Sequence, residues 1–406
     1  MWELIRQNRR KSFVLFIAMG ACLLLLGFLI GKAYIPDNGG VVGIIIATLV
    51  WLGLALISYF GGDSVLLAAS HAKEISREMH PQLFNVVEEM KIAGSLPGMP
   101  RIFVIDEAAP NAFATGRDPK SCSIAVTSGL LERMNRDELQ GVIAHEMSHI
   151  LNRDILFMTF AGVMLGSIAI ISQFFLRGLW FSGGSSSRYR SRDSRGGQGA
   201  AIIMIVAIVF AILAPILARL FYFAISRKRE YLADASAVRL TRYPEGLASA
   251  LEKISNSTEA MPSANSITAA LYIANPIREK GQKLADWTST HPPISRRIKI
   301  LRAMSQGAGL LDYQQAFGAI TGKKSNILPP SGLKDGAPVS IRAAGAPALT
   351  EKASAKKRDI GDLLRTVNGF NFLICSCGLK IKTPPELKKS PFPCPRCGKE
   401  MATTPS

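Results

Sequence analysis

The chain has 406 residues, 48% of them hydrophobic and only 19% charged, with a mean hydropathy of +0.21. That composition excludes a typical soluble protein and points to membrane segments. The formal net charge of +18 leaves an anionic lipid surface or nucleic acid as electrostatic counterparts.

Taken in chain order, the first elements are apolar runs of the roughly 20 residues a helix needs to cross a bilayer. They cover Ser12 to Gly31 and Val41 to Phe60. Two more follow at Ile155 to Leu176 and Ala200 to about Ile225, so four transmembrane helices are expected. The basic flank Arg6, Arg9, Arg10 and Lys11 precedes a run too long for a secretory signal, and no A-x-A site closes it. An uncleaved anchor with a cytoplasmic N-terminus is therefore predicted. The loop after the third run is rich in arginine, which conflicts with its placement outside by span counting. Either that bias is overridden, or the last two runs form a hairpin, at about 155–225, that does not fully cross.

Residues 1–60 thus form a pair of membrane helices, and 61–322 a soluble domain interrupted by the hairpin. Within that domain RIFVID (Arg101 to Asp106) and SIAVTS (Ser123 to Ser128) read as short strands. Asn135 with Glu138 three residues later forms a capping box that starts a helix running through VIAHEMSHILNRDI. From Ser226 to about Gly322 the pattern is helical again. Residues 323–359, rich in Pro, Gly, Ala and Lys, read as a flexible linker, and 360–406 as a small cysteine-containing domain.

On that helix His145 and His149, four positions apart, project from one face and can hold one ion together. Glu146 leaves the helix about 100° from His145, near the metal without binding it, where it can take a proton from a water. This is the H-E-x-x-H arrangement of zinc peptidases. The bland alternative is an amphipathic helix with two surface histidines. A third ligand must come from elsewhere, and Glu230 in SRKREYLADASAVRL would complete a His₂Glu set with a fourth position left for water. Asp234 lies one turn further on, where it can orient a ligand histidine. By itself that stretch would read as a solvated charged face.

VIAHEMSHILNRD, two apolar runs and SRKREYLADASAV resemble the HtpX-type membrane zinc metalloproteases, relatives of the CAAX prenyl endopeptidases. NAFATG, SIAVTSGLL and THPPISRRI match the same family. The resemblance implies an α+β zincin-like catalytic domain and zinc ligands at His145, His149 and Glu230, with Glu146 as general base. It also implies a substrate-binding backbone edge at Asn111, Ala112, Phe113, Ala114 and Thr115, consistent with strand addition by an extended peptide. His291 either contacts substrate or simply caps the helix that follows Pro292 and Pro293. A quality-control and stress-response role comes with the resemblance, as does placement in the inner (cytoplasmic) membrane with the catalytic domain facing the cytoplasm.

Cys375, Cys377, Cys394 and Cys397 form a C-x-C and a C-x₂-C pair, the donor set of a zinc ribbon. A domain this small needs metal to fold. Two zinc ions are therefore expected, one catalytic and one structural. No aromatic-basic interleaving argues for nucleic acid, so the ribbon's partner stays open between protein and anionic lipid. The expected fold is mainly α with a small β-sheet, four transmembrane helices and a ribbon. The expected activity is zinc-dependent cleavage of membrane proteins, misfolded ones above all. The rivals are a CAAX-type endopeptidase, and a catalytically silent membrane adaptor acting through its ribbon.

Overall fold

The computed structural model describes residues 2–35, 37–182, 197–264, 271–274, 292–304, 307–322, 339–343, 353–385 and 391–401. The arginine-rich loop and His291 lie outside the described residues.

Helices α1 (Trp2–Tyr34) and α2 (Gly39–Ala69) form an antiparallel hairpin. Their approach is set by glycine: a Cβ on Gly31 would lie 2.0 Å from the Gly39 carbonyl oxygen, and one on Gly43 2.0 Å from that of Gly27. In hydrocarbon, where lipid tails compete with side chains for contact, such small-residue faces are what let helices touch.

Three helical stretches among the described residues are long and apolar enough to cross a membrane: Phe16–Tyr34, Gly39–Ala69 and Ala201–Ala218. The third expected run is a continuous helix, α6 (Ile155–Ser182). Ile155, Phe157, Met158, Phe160, Ala161 and Met164 in its first turns are buried against the rest of the protein.

The sheet has four strands: β1 (Lys73–Glu74), β2 (Arg101–Ile105), β3 (Ala112–Asp118) and β4 (Ser121–Thr127), in the order β1-β2-β4-β3. Strands β2 and β4 run parallel, and β3 pairs antiparallel with β4 at the sheet edge. Alternate residues face opposite ways. Ile102, Val104, Ile124 and Val126 pack into the core of the soluble-domain helices, whereas Phe103, Ile105, Phe113 and Ala125 pack with Leu66, Phe157 and Phe160 of the membrane helices. The sheet is thus the layer between the membrane helices and the remaining helices. Covered on both faces, its strands read as apolar runs.

The helices beyond the sheet are α3 (Pro81–Ala93), α4 (Ser128–Arg133), α5 (Arg136–Leu151), α7 (Gly197–Thr241), α8 (Pro244–Asn256), α9 (Ile294–Arg302) and α10 (Leu310–Thr321). Asn135 and Glu138 form the expected capping box on α5. Helix α7 is longer than the sequence suggests. Its 45 residues carry both the apolar run and Glu230 without a break. The apolar run, which extends to about Ile225, ends five residues before Glu230, or about 8 Å at 1.5 Å per residue.

The stretch read as a linker contributes structure on both sides. Arg342 donates to Asp137 Oδ1 at 2.6 Å and Gln140 Oε1 at 2.7 Å on α5, and to the Thr241 carbonyl at 3.0 Å at the end of α7. One side chain thereby ties together the ends of α5 and α7. Replacing it by alanine is expected to cost about 1–2 kcal/mol, a partly exposed charge-assisted network. The readout is a lowered melting temperature in detergent. Helix α11 (Ala353–Val367) straddles the expected linker boundary and buries Ile360 and Leu363 in the same core. The ribbon follows as two short hairpins, β5 (Asn371–Ile374) with β6 (Lys380–Thr383) and β7 (Phe392–Pro393) with β8 (Glu400–Met401).

Candidate metal centre

Helices α5 and α7 bring His145, His149 and Glu230 together, with one donor atom from each within 4.8 Å of the others. His145 Nε2 lies 3.5 Å from Glu230 Oε2, and His149 Nε2 lies 3.4 Å from Glu230 Oε1. All three side chains are buried.

The opposite ring nitrogens are held by a second layer. His145 Nδ1 is 3.0 Å from Asp234 Oδ1, and His149 Nδ1 is 3.4 Å from Asp154 Oδ2. Each carboxylate has its own arginine. Arg297 donates to both oxygens of Asp234, at 2.8 and 2.7 Å, and Arg229 Nε is 3.6 Å from Asp154 Oδ1. Arg297 also reaches Glu230 Oε2 at 3.3 Å. A carboxylate accepting from Nδ1–H fixes the tautomer and turns Nε2 toward the shared point. Asp234 therefore stands where the sequence reading put it. Asp154, Arg229 and Arg297 went unnoticed as site residues. Asp154 closes the turn after α5, its N–H donating to the His149 carbonyl at 2.9 Å. Arg297 sat within the quoted THPPISRRI stretch with no role attached.

Electrostatics follow the geometry. Burial works against protonation of His149, but Asp154 and Glu230 outweigh it and push its pKa up to about 10. His145 is raised likewise, burial being overcome by Asp234 and Glu230. Burial and the charge of Glu230 raise Glu146, against the opposing pull of the two imidazoles. Asp234 stays below the usual carboxylate range despite burial, because Arg297 and His145 face it.

Glu146 lies beside the edge strand and accepts a hydrogen bond from the Ala114 backbone. Its Oε1 is buried and has no hydrogen-bond partner. An orphaned acceptor next to a His₂Glu donor set fits a catalytic zinc ion, whose sites keep one position open.

Of the five residues expected at the substrate edge, every side chain is buried, so only the backbone can serve. Asn111 and Ala112 are already engaged. The Asn111 amide donates to the Ala274 carbonyl at 2.9 Å, and Ala112 O accepts from Ile273 N at 2.9 Å. Phe113 packs edge-on against Tyr272, and Thr115 Oγ1 is 3.4 Å from Thr159 Oγ1.

In the ribbon, Cys375 Sγ lies 3.5 Å from Cys397 Sγ and Cys377 Sγ lies 3.8 Å from Cys394 Sγ. All four can donate to one point. The C-x-C turn looked tight in sequence. Gly378 relieves it at φ 81°, donating to the Cys375 carbonyl, just as Gly398 does for Cys394 at φ 75°.

A helical domain on membrane helices, with H-E-x-x-H and a glutamate from a second helix around one buried point, defines a membrane metalloprotease. The model of peptidase family M48 matches residues 78–305. A protease HtpX homolog of Dictyoglomus thermophilum is 44% identical over 313 residues, which is 77% of this chain and 98% of that protein. One from Lactobacillus helveticus is 44% identical over 305 residues, 75% of this chain and all of its own. The crystal structure of S. mikatae Ste24p aligns over 74% of this chain and 67% of its own, at 21% identity and a TM-score of 0.38. The chain belongs to peptidase family M48 and is an HtpX-type membrane zinc metalloprotease. The rest of the chain has no counterpart in the matched HtpX relatives, which it covers almost completely.

Proposed function

We propose that this protease is an endopeptidase that cuts membrane proteins, misfolded ones above all, at the membrane surface. His145, His149 and Glu230 hold the catalytic zinc, and Glu146 is the general base. The convergence of both Nε2 atoms on Glu230, with Glu146 Oε1 unpartnered beside them, carries this reading. Zinc held there supplies a Lewis acid that acidifies water and polarises the scissile carbonyl. Glu146 Oε1 receives the proton of the attacking water and passes it to the leaving amine. Burial raises the affinity of Glu146 for that proton, which suits it to receive the proton and hold it until the amine leaves. Substrate backbone lies along β3 beyond Ala112, next to Glu146. Asp234 and Asp154 hold the ligand imidazoles in place.

The short step along α7 from its apolar run to Glu230 supports membrane-protein substrates, because an exposed loop close to the bilayer reaches the site. The basic residues Arg6 to Lys11 in the first turns of α1, before its apolar stretch, support a cytoplasmic catalytic domain in the inner membrane. Purified, reconstituted protein is expected to lose cleavage on chelation and regain it with zinc, whereas His145→Ala stays inactive and zinc-free at this site. Cleavage by the alanine variant at the wild-type rate would refute the ligand assignment. Equal rates on a membrane-anchored loop and on the same peptide in solution would refute the membrane-substrate reading.

The four ribbon cysteines hold a second, structural zinc, with a protein or anionic lipid as the ribbon's partner. Because α11 is part of the catalytic core, the test is Cys394→Ser with Cys397→Ser, not truncation. Zinc per chain is expected to fall from two to one with peptidase activity kept. An unchanged metal count would remove the ribbon site.

A further inference from the structure

A cavity of about 1160 Å³ opens where the membrane helices meet the catalytic domain, larger than the roughly 300–1,000 Å³ of ordinary small-molecule sites. Its walls are apolar and come from the membrane helices: Phe13 and Phe16 of α1, Leu52 and Leu56 of α2, Phe157 and Phe160 of α6. At its domain end stand Arg117, Lys120 and Arg153 with one acidic residue, Asp118. Arg117 is committed: its Nε lies 3.5 Å from Asp118 Oδ2 and its guanidinium sits over the Tyr59 ring. Lys120 and Arg153 are exposed, and among the described residues neither has an ion-pair partner. Arg153 holds φ at 60°, a conformation that costs a non-glycine residue energy. That twist sends Asp154 inward to His149 while Arg153 lines the cavity mouth.

An apolar cleft among membrane helices offers water no partners, so hydrocarbon fills it. Two uncommitted cations at the polar end call for a negative group at headgroup depth. We propose that this groove binds one anionic phospholipid of the surrounding bilayer, its acyl chains between α1, α2 and α6 and its phosphate at Lys120 and Arg153. The lipid would brace the turn that presents Asp154 to His149, linking membrane composition to the metal centre.

The test uses the full chain in nanodiscs of equal parts phosphatidylglycerol and phosphatidylcholine with identical acyl chains. The protein is re-extracted and co-purifying lipid is counted by mass spectrometry. The wild type is expected to retain phosphatidylglycerol about tenfold over phosphatidylcholine, the preference two basic contacts supply. Lys120→Gln with Arg153→Gln brings the ratio to about one. Lys120→Gln alone, on the exposed β3–β4 turn and remote from the fold's core, lowers it about threefold. Leu52→Trp with Leu56→Trp reduces retained lipid of either headgroup. A wild-type ratio near one overturns the proposal, as does an unchanged ratio in both Lys120 variants. Loss of the preference in Arg6→Gln with Arg10→Gln also overturns it, because the attraction then belongs to the N-terminal flank. Phosphatidylglycerol headgroup without acyl chains should not compete, and full competition by it would reduce the site to a surface anion contact.

Discussion

Glu146→Gln is expected to keep zinc at the His/Glu centre while cleavage falls by about 10²–10⁴-fold, the range a positioned general base contributes. Glutamine is nearly isosteric and neutral, so the buried cluster loses a negative charge without losing volume. Glu146 is not among the converging donors, which are His145, His149 and Glu230. Metal content should therefore be unchanged, and inhibitor or substrate binding along β3 should persist, since the amide can still accept from Ala114. Metal retention separates this loss from the His145→Ala loss. Residual activity within tenfold of wild type would mean that another group takes the proton. Among the described residues Glu146 is the one buried carboxylate beside the centre with an unpartnered oxygen and no ion pair.

Arg297→Ala is expected to be the most damaging change away from the ligands themselves. Arg297 is fully buried, and it is paired with Asp234 through two hydrogen bonds and with Glu230 at 3.3 Å. Removing one member of a buried ion pair costs about 3–5 kcal/mol, because the remaining charge is left uncompensated. Here two carboxylates would be left facing each other across His145. Asp234 would turn away from Nδ1 or take up a proton, and either response frees the His145 ring to rotate. The measurable outcomes are a lowered melting temperature and zinc affinity reduced about 10–100-fold, the usual effect of losing an outer support of a metal ligand. Arg297→Lys should rescue part of the stability but little of the zinc affinity, since an ammonium cannot match the fork that spans both Asp234 oxygens. Wild-type zinc affinity in the alanine variant would show that Asp234 orients His145 unaided.

The two variants probe parts of the site that differ in how they can be read. His145, Glu146 and His149 share one helix, so helical periodicity and the Asn135–Glu138 cap suffice to put them on one face. Glu230 was accessible because α7 carries it straight out of an apolar run that has a matching run after the histidines. Arg297 is different. It lies 63 residues from Asp234 and 152 from His145, and an arginine in a basic helical stretch ordinarily faces water. Asp154 is close to His149 in sequence, yet its role depends on a turn with Arg153 at positive φ, which no spacing rule for helices announces.

By itself the sequence determined the elements whose physics is local: the apolar runs, the capped helix with its ligand pair, the β2 and β4 strands and the two cysteine knuckles. Periodicity, capping and donor chemistry act within a few residues, so they are written in order along the chain. Only the tertiary structure decided how those elements share surfaces. It put the sheet between membrane and catalytic core, packed the first turns of α6 against that sheet, and drew α11 into the core and Arg342 onto the ends of α5 and α7 out of an apparent linker. It also paired each histidine-backing carboxylate with an arginine. Buried charge must find its counter-charge wherever the fold places one, and that matching is a property of three-dimensional packing rather than of neighbouring letters.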